Sequence, residues 1–191
     1  MQDNALIDLL ASRLEAATLA AGWLDVNGQP YGVSQKEQPT QQGIPVVPQV
    51  FFEKLFDHAY GFPALSYSVD NSNPNAPVMT ETETRQIETT FQISALVPQD
   101  PTDLSIPTAS DVVNAMHMFL SSRATIRLWQ PQGVSILRVT APIQNTYFED
   151  DRHRNAASPS FDIVLTHSQT INTVVNSTNQ LDQTGNGIYP I

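Results

Sequence analysis

The densest chemistry in the chain is the run FEDDRHR, Phe148 to Arg154, in which three acids, a histidine and two arginines stand side by side. Residues of these types could move protons, hold a metal, grip a phosphate backbone or key one protein surface to another. Acid–base work needs a pocket that separates the proton affinities of two carboxylates. Here Arg152 and Arg154 adjoin Glu149, Asp150 and Asp151, which keeps the acids ionised and makes them poor general acids. The histidines, at 58, 117, 153 and 167, lack the spacing of a metal site. His117 falls on a helix flank. His167 shares the alternating phase of Phe161, Ile163 and Leu165, which predicts a hydrogen-bonded core or interface histidine. No Gly-rich phosphate loop, nucleophile elbow or paired-histidine helix occurs, so no catalytic, cofactor-binding or metal-binding residue is assigned.

Nucleic-acid binding by charge neutralisation is disfavoured, because nine Lys and Arg face nineteen acids and the formal charge is −10. An interface uses the charged run better. Tyr147 and Phe148 attach aromatic bulk to it, and aromatics with arginine are the residues that anchor interfaces. Both signs on one chain also suit head-to-tail contact between copies. Tyr147, Phe148, Glu149, Asp150, Asp151, Arg152 and Arg154 are therefore the candidate interface residues. A different class of function, a hydrolase or carbohydrate-binding module, would use Trp23, Tyr31, Tyr60 and Trp129 as stacking surfaces.

The elements that must position these residues follow from periodicity. Leu6, Leu9, Leu10, Leu14 and Ala17 recur at helical spacing, which predicts an amphipathic helix over about 4–21 that Gly22 ends. Its Asp8, Arg13 and Glu15 argue against a membrane span or signal peptide. Residues 23–48, rich in Gly, Gln and Pro, read as a long surface excursion. Strands are predicted up to Asp70 from about Ala64, and from about Glu81 to Val97, the latter with Ile87, Thr89, Phe91, Ile93, Ala95 and Val97 on one face. Thr108 and Asp111 have capping-box spacing ahead of a second helix reaching about Ser122. Two more strands are predicted, Val134–Val139 and Phe161–Thr170. Residues 172–191 are too polar to pack alone and predict an extended arm, with Ile188, Tyr189 and Ile191 as anchors on a partner.

The expected fold is thus α/β of the α+β kind, one domain over 1–171 and the arm beyond it. It holds a four-stranded, mainly antiparallel sheet with two helices on one face. The absence of cysteine rules out disulfides and leaves burial or partner subunits to stabilise the chain, with cytosolic assembly as the expectation.

The stretch YFEDDRHRNAASPSFDIVLTH, taken with GVSILRVTAPIQN and ASDVVNAMHMFLSS, resembles the neck or tail terminator proteins of contractile-tailed phages. The resemblance spans about Gln86 to Ser168. It implies a small α/β sandwich and a non-enzymatic ring of copies, six-fold, that caps the tail tube at the virion neck. The implied partners are the tail tube protein, the sheath protein and the head connector, with DNA passing through the lumen and no membrane involved. A head-completion connector bound to the portal is the neighbouring alternative. Acids on the lumen wall would keep passing DNA from sticking, and Glu81, Glu83 and Glu88 are the candidates.

Overall fold

The computed structural model describes residues 3–25, 27–36, 47–70, 78–98, 105–143, 148–149, 155–156 and 159–175. In chain order these form α1 (Asp3–Ala21), β1 (Gly32–Gln35), β2 (Gln49–Asp70), β3 (Val78–Leu96), α2 (Ala109–Leu120) and α3 (Arg123–Trp129). A 3-10 turn at Gln130–Gln132 leads to β4 (Ser135–Val139), β5 (Phe148–Glu149), β6 (Asn155–Ala156) and β7 (Ser160–Val175). Five strands make one mixed sheet in the order β1-β2-β3-β7-β4, and β5 and β6 form a separate antiparallel pair. Within the large sheet only the β1–β2 pairing is parallel.

The core follows from the alternation of the strands. Phe91, Ile93 and Ala95 of β3 and Phe161, Ile163 and Leu165 of β7 point to one face, where Val50 and Phe52 of β2 join them. Leu6, Leu10, Leu14 and Ala17 of α1 and Val112, Val113, Met116 and Leu120 of α2 complete the same cluster. Full burial of each large aliphatic side chain stabilises by about 1.5–3 kcal/mol. Thr108 caps α2 as expected: its hydroxyl accepts from the Asp111 amide, and the Asp111 carboxylate accepts in return from the Thr108 amide at 3.0 Å. Gly22, at φ 69°, ends α1 in the left-handed conformation that glycine adopts without strain. Arg13 stacks its guanidinium 4.2 Å from the centre of the Phe119 ring and donates from Nε to Thr125 Oγ1, tying α1 to α2 and α3.

The sheet is larger than the four expected strands, and it is mixed. Residues 23–48 contribute β1, whose four residues GVSQ are too few to show a period. Ahead of it, Asp25 closes a turn by accepting from the amides of Asn27 and Gln29, both at 2.8 Å. The third helix, α3, has seven residues and is likewise below the length at which periodicity speaks; Ser122 caps it by accepting from the Thr125 amide. Strand β2 starts at Gln49 and runs 22 residues. Its alternation was hidden because the register against β3 slips twice, between Lys54 and Phe56 and between Tyr60 and Ala64. The first slip inserts Leu55 alone, so even-numbered residues face the core before it and the opposite side after it.

The second half of β2, the first half of β3 and the end of β7 leave the helices behind. No residue of Leu55–Asp70 or Gln169–Val175 belongs to the core. These segments form a three-stranded ribbon, and Val78–Glu88 alone spans ~35 Å at ~3.4 Å per residue. Residues 172–175, expected in the arm, extend β7 along β3. The remainder of the arm, with Ile188, Tyr189 and Ile191, lies outside the described residues.

Candidate assembly surface

The ribbon has two chemically distinct faces, fixed by its register. On the face continuous with the helix-covered side stand Leu65, Tyr67 and Val69 of β2, Met79, Glu81, Glu83 and Arg85 of β3, and Ile171, Thr173 and Val175 of β7. Tyr67 is directly opposite Glu81, and its hydrogen bond to that carboxylate raises the phenol pKa. The opposite face is a field of hydroxyls: Ser66, Ser68, Thr80, Thr82, Thr84 and Thr170 with Asn172. Thr82 donates to Asn172 Oδ1 at 3.0 Å, and the Thr84 and Thr170 hydroxyls are 3.4 Å apart. Nearer the body this face carries Phe56, His58, Tyr60, Gln86 and Glu88. Among the described residues of the ribbon, the hydroxyl face has no Lys or Arg.

The three acids expected together at a lumen therefore separate. Glu81 and Glu83, two apart in β3, share a face, whereas Glu88 differs in parity and stands on the other. Sequence spacing alone carried this split.

A polar node sits where the ribbon leaves the body. Lys54 bridges Asp3 at 2.6 Å and also Asp57, joining the start of α1 to β2. Thr89 donates its hydroxyl proton to Asp57 Oδ1 at 2.7 Å and lies 3.1 Å from His167 Nε2. A hydroxyl has one proton, so Nε2 carries the hydrogen of the second bond and the histidine is the Nε2-protonated tautomer. Nδ1 is buried without a hydrogen-bond partner among the described residues. Burial lowers the His167 pKa, against the pull of Asp57 and Asp3. For Asp57, burial acts upwards, but the hydrogen bonds from Lys54 and Thr89 outweigh it and hold the carboxyl below its usual value. This Asp–Thr–His chain does not activate a nucleophile, because the threonine proton is directed to the carboxylate and away from the imidazole. It is the hydrogen-bonded core histidine that the phase of β7 predicts.

Of the charged run, Phe148–Glu149 pair antiparallel with Asn155–Ala156, which brings the two ends of the run together at the backbone. Tyr147, Asp150, Asp151, Arg152 and Arg154 lie outside the described residues. The aromatic stacking surface fails: Trp129 is fully buried in the core, Tyr31 is 4% exposed, and Trp23 stacks on Tyr31 with ring centres 6.0 Å apart. The residues that sequence reasoning missed are the exposed apolar side chains of β2. Phe62 is 97% exposed and Phe56 59%, beside Tyr60, the stacking candidate that is exposed, at 62%.

Comparison with known families matches residues 5–177 to the model of the E217 gateway protein gp29. The match covers most of the chain, ribbon included. The chain belongs to the E217 gateway protein gp29 family. The gateway family is one of phage structural proteins at the head–tail junction, in agreement with the phage structural component that the resemblance implies. A search of curated proteins returned no match. Membership of the gateway family implies interaction with phage head and tail components and oligomeric assembly. No described helix is long and apolar enough to cross a membrane.

Proposed function

We propose that this gateway protein is the terminator of a phage tail: a ring, six-fold, that caps the tail tube, meets the sheath and docks on the head connector while DNA passes through its lumen. The observation that carries the reading is the three-stranded ribbon, whose exposed Leu65, Tyr67, Val69 and Ile171, together on the face opposite the hydroxyls, have no core of their own to enter. A chain with such a surface is completed by other chains. Family membership supports the location at the head–tail junction.

The faces of the sheet orient the ring. Helices α1 and α2 cover one face, and a ring with helices inside would fill its own passage, so the hydroxyl face turns inward. Among the described residues that face offers DNA no Lys or Arg along the ribbon, and it presents Glu88. Six copies carry on the order of −60 formal charges, from −10 each, and repel phosphates within roughly a Debye length of ~8 Å. Glu81 and Glu83 then stand on the outer face, towards neighbouring chains. The charged run from Tyr147 to Arg154 sets the register between copies or against the connector. Ion pairs at a rim contribute ~0–1 kcal/mol each, so their effect is on alignment more than affinity. The arm, with Ile188, Tyr189 and Ile191, orders on a partner.

Mass measurement of the assembled protein together with cryo-electron microscopy of the virion neck tests this reading. A six-fold ring on the end of the tail tube is the expected result. A twelve-fold ring seated on the portal would make the chain a head-completion connector instead.

A further inference from the structure

We infer that the ribbon's two outer strand edges pair with each other between copies, so that the ring is sealed by a continuous β-wall. This inference rests on the ring proposed above and names the contact that closes it. Along the ribbon the strand order is β2-β3-β7, and among the described residues no strand lies outside Ala64–Val69 of β2 or Gln169–Val175 of β7. Each presents a row of backbone N–H and C=O groups directed away from β3, and such a row is a template for another strand.

The two edges match in position. Ala64 and Thr170 both pair with Thr84, and Val69 and Val175 both pair with Met79, so the edges span the same rungs of β3 from opposite sides. Rotation about a ring axis without translation brings one edge of a copy to the other edge of the next, with a stagger along the strands set by their tilt. The pairing is head-to-tail and so repeats until the ring closes. Both β2 and β7 run antiparallel to β3, and the new contact is therefore parallel.

The edges also lack the devices that keep strands apart. ALSYSV and QTINTVV contain no charge, proline or glycine, and QTINTVV is rich in β-branched residues. The edges of the body are blunted by contrast. β1 has four residues; β4 has five, slips register between Ile136 and Arg138, and bears an exposed arginine. On β2 the interruption at Gly61–Pro63, where Arg85 donates to the Gly61 carbonyl, ends just before Ala64. Protection thus covers the root of the ribbon and stops where the free edges begin. Three strands from each of six copies would close a barrel of ~18 strands. At ~4.8 Å per strand and ~40° tilt its opposite walls are ~35 Å apart, in the class of barrels that enclose an aqueous channel.

The chain has no cysteine, which allows a direct test in the full-length protein. Ser66→Cys is combined in turn with Thr170→Cys, Asn172→Cys and Val174→Cys, all on the hydroxyl face, and the assembled protein is oxidised. The expected result is a covalent ladder from dimer to closed ring for at least one pair, and dimers at most from the single variants. Of Asn172→Pro and Thr173→Pro, the one whose N–H points away from β3 should keep the monomer's circular dichroism while losing the ring. A ring of normal mass that gives no ladder with any pair and tolerates both prolines would overturn the edge pairing alone. Cysteine capture of a strand from another tail protein in place of a second copy would overturn it too. A chain that is monomeric at every concentration and in the particle would overturn the ring and the edge pairing together.

Discussion

At the scale of single residues, His167 connects burial to acid sensitivity. Its folded pKa is below the ordinary value, chiefly because burial disfavours the imidazolium. The unfolded chain takes up a proton near pH ~6.5, and the folded chain does so only at lower pH. Stability from this group is therefore complete above that value, declines as pH falls through it, and levels off below the folded pKa. Thermal unfolding between pH 8 and 5 should show this decline in the wild type, and His167→Gln should flatten it. Asp57 contributes a separate loss below about pH 4, where its depressed pKa ceases to hold it ionised. A melting temperature independent of pH from 8 to 5 in the wild type would refute the account of His167.

Among the elements, α2 and the sheet depend on local and tertiary terms of different size. The Thr108–Asp111 capping box satisfies amides at the start of α2, and Thr108→Ala should lower stability by about 1 kcal/mol. For a chain of this length that is ~2–4 °C in the melting temperature. Phe91 is fully buried at the centre of β3 beneath the helices, so Phe91→Ala should cost about 3–5 kcal/mol, read by denaturant unfolding. The order of these two effects follows from where each side chain sits: a cap is exposed and replaceable by water, whereas a vacated core position is not.

For the whole molecule, the predictions concern assembly and passage. Arg152→Glu, in the charged run, should leave the monomer's melting temperature unchanged while reducing rings and completed necks seen by electron microscopy; virions with normal necks would count against an interface role for the run. Glu88→Lys places a cation on the hydroxyl face. Particles carrying it should assemble with normal necks but eject DNA more slowly, because each added cation can hold a phosphate. Unchanged ejection at low salt, where the attraction is strongest, would exclude the hydroxyl face as the lumen wall.

Sequence by itself determined the elements whose signal is local and repeated. The heptad-like leucines of α1 and the alternation Thr89–Phe91–Ile93–Ala95 each repeat often enough to define a face, and both faces are buried as expected; the cap at Thr108 is a local pair that forms at the helix start as its spacing predicts. The phase of β7 also sufficed to mark His167 as an internal, hydrogen-bonded group. Only the tertiary structure decided how far β2 extends, since a single inserted residue, Leu55, reverses which side chains face the core and scrambles the period. The same holds for β1, which is a strand because β2 lies beside it. It holds as well for Phe56 and Phe62, apolar side chains that the fold leaves outside. Local pattern fixes which face of a segment is apolar; whether anything covers that face depends on where the chain's other segments end, and here the helices stop short of the ribbon.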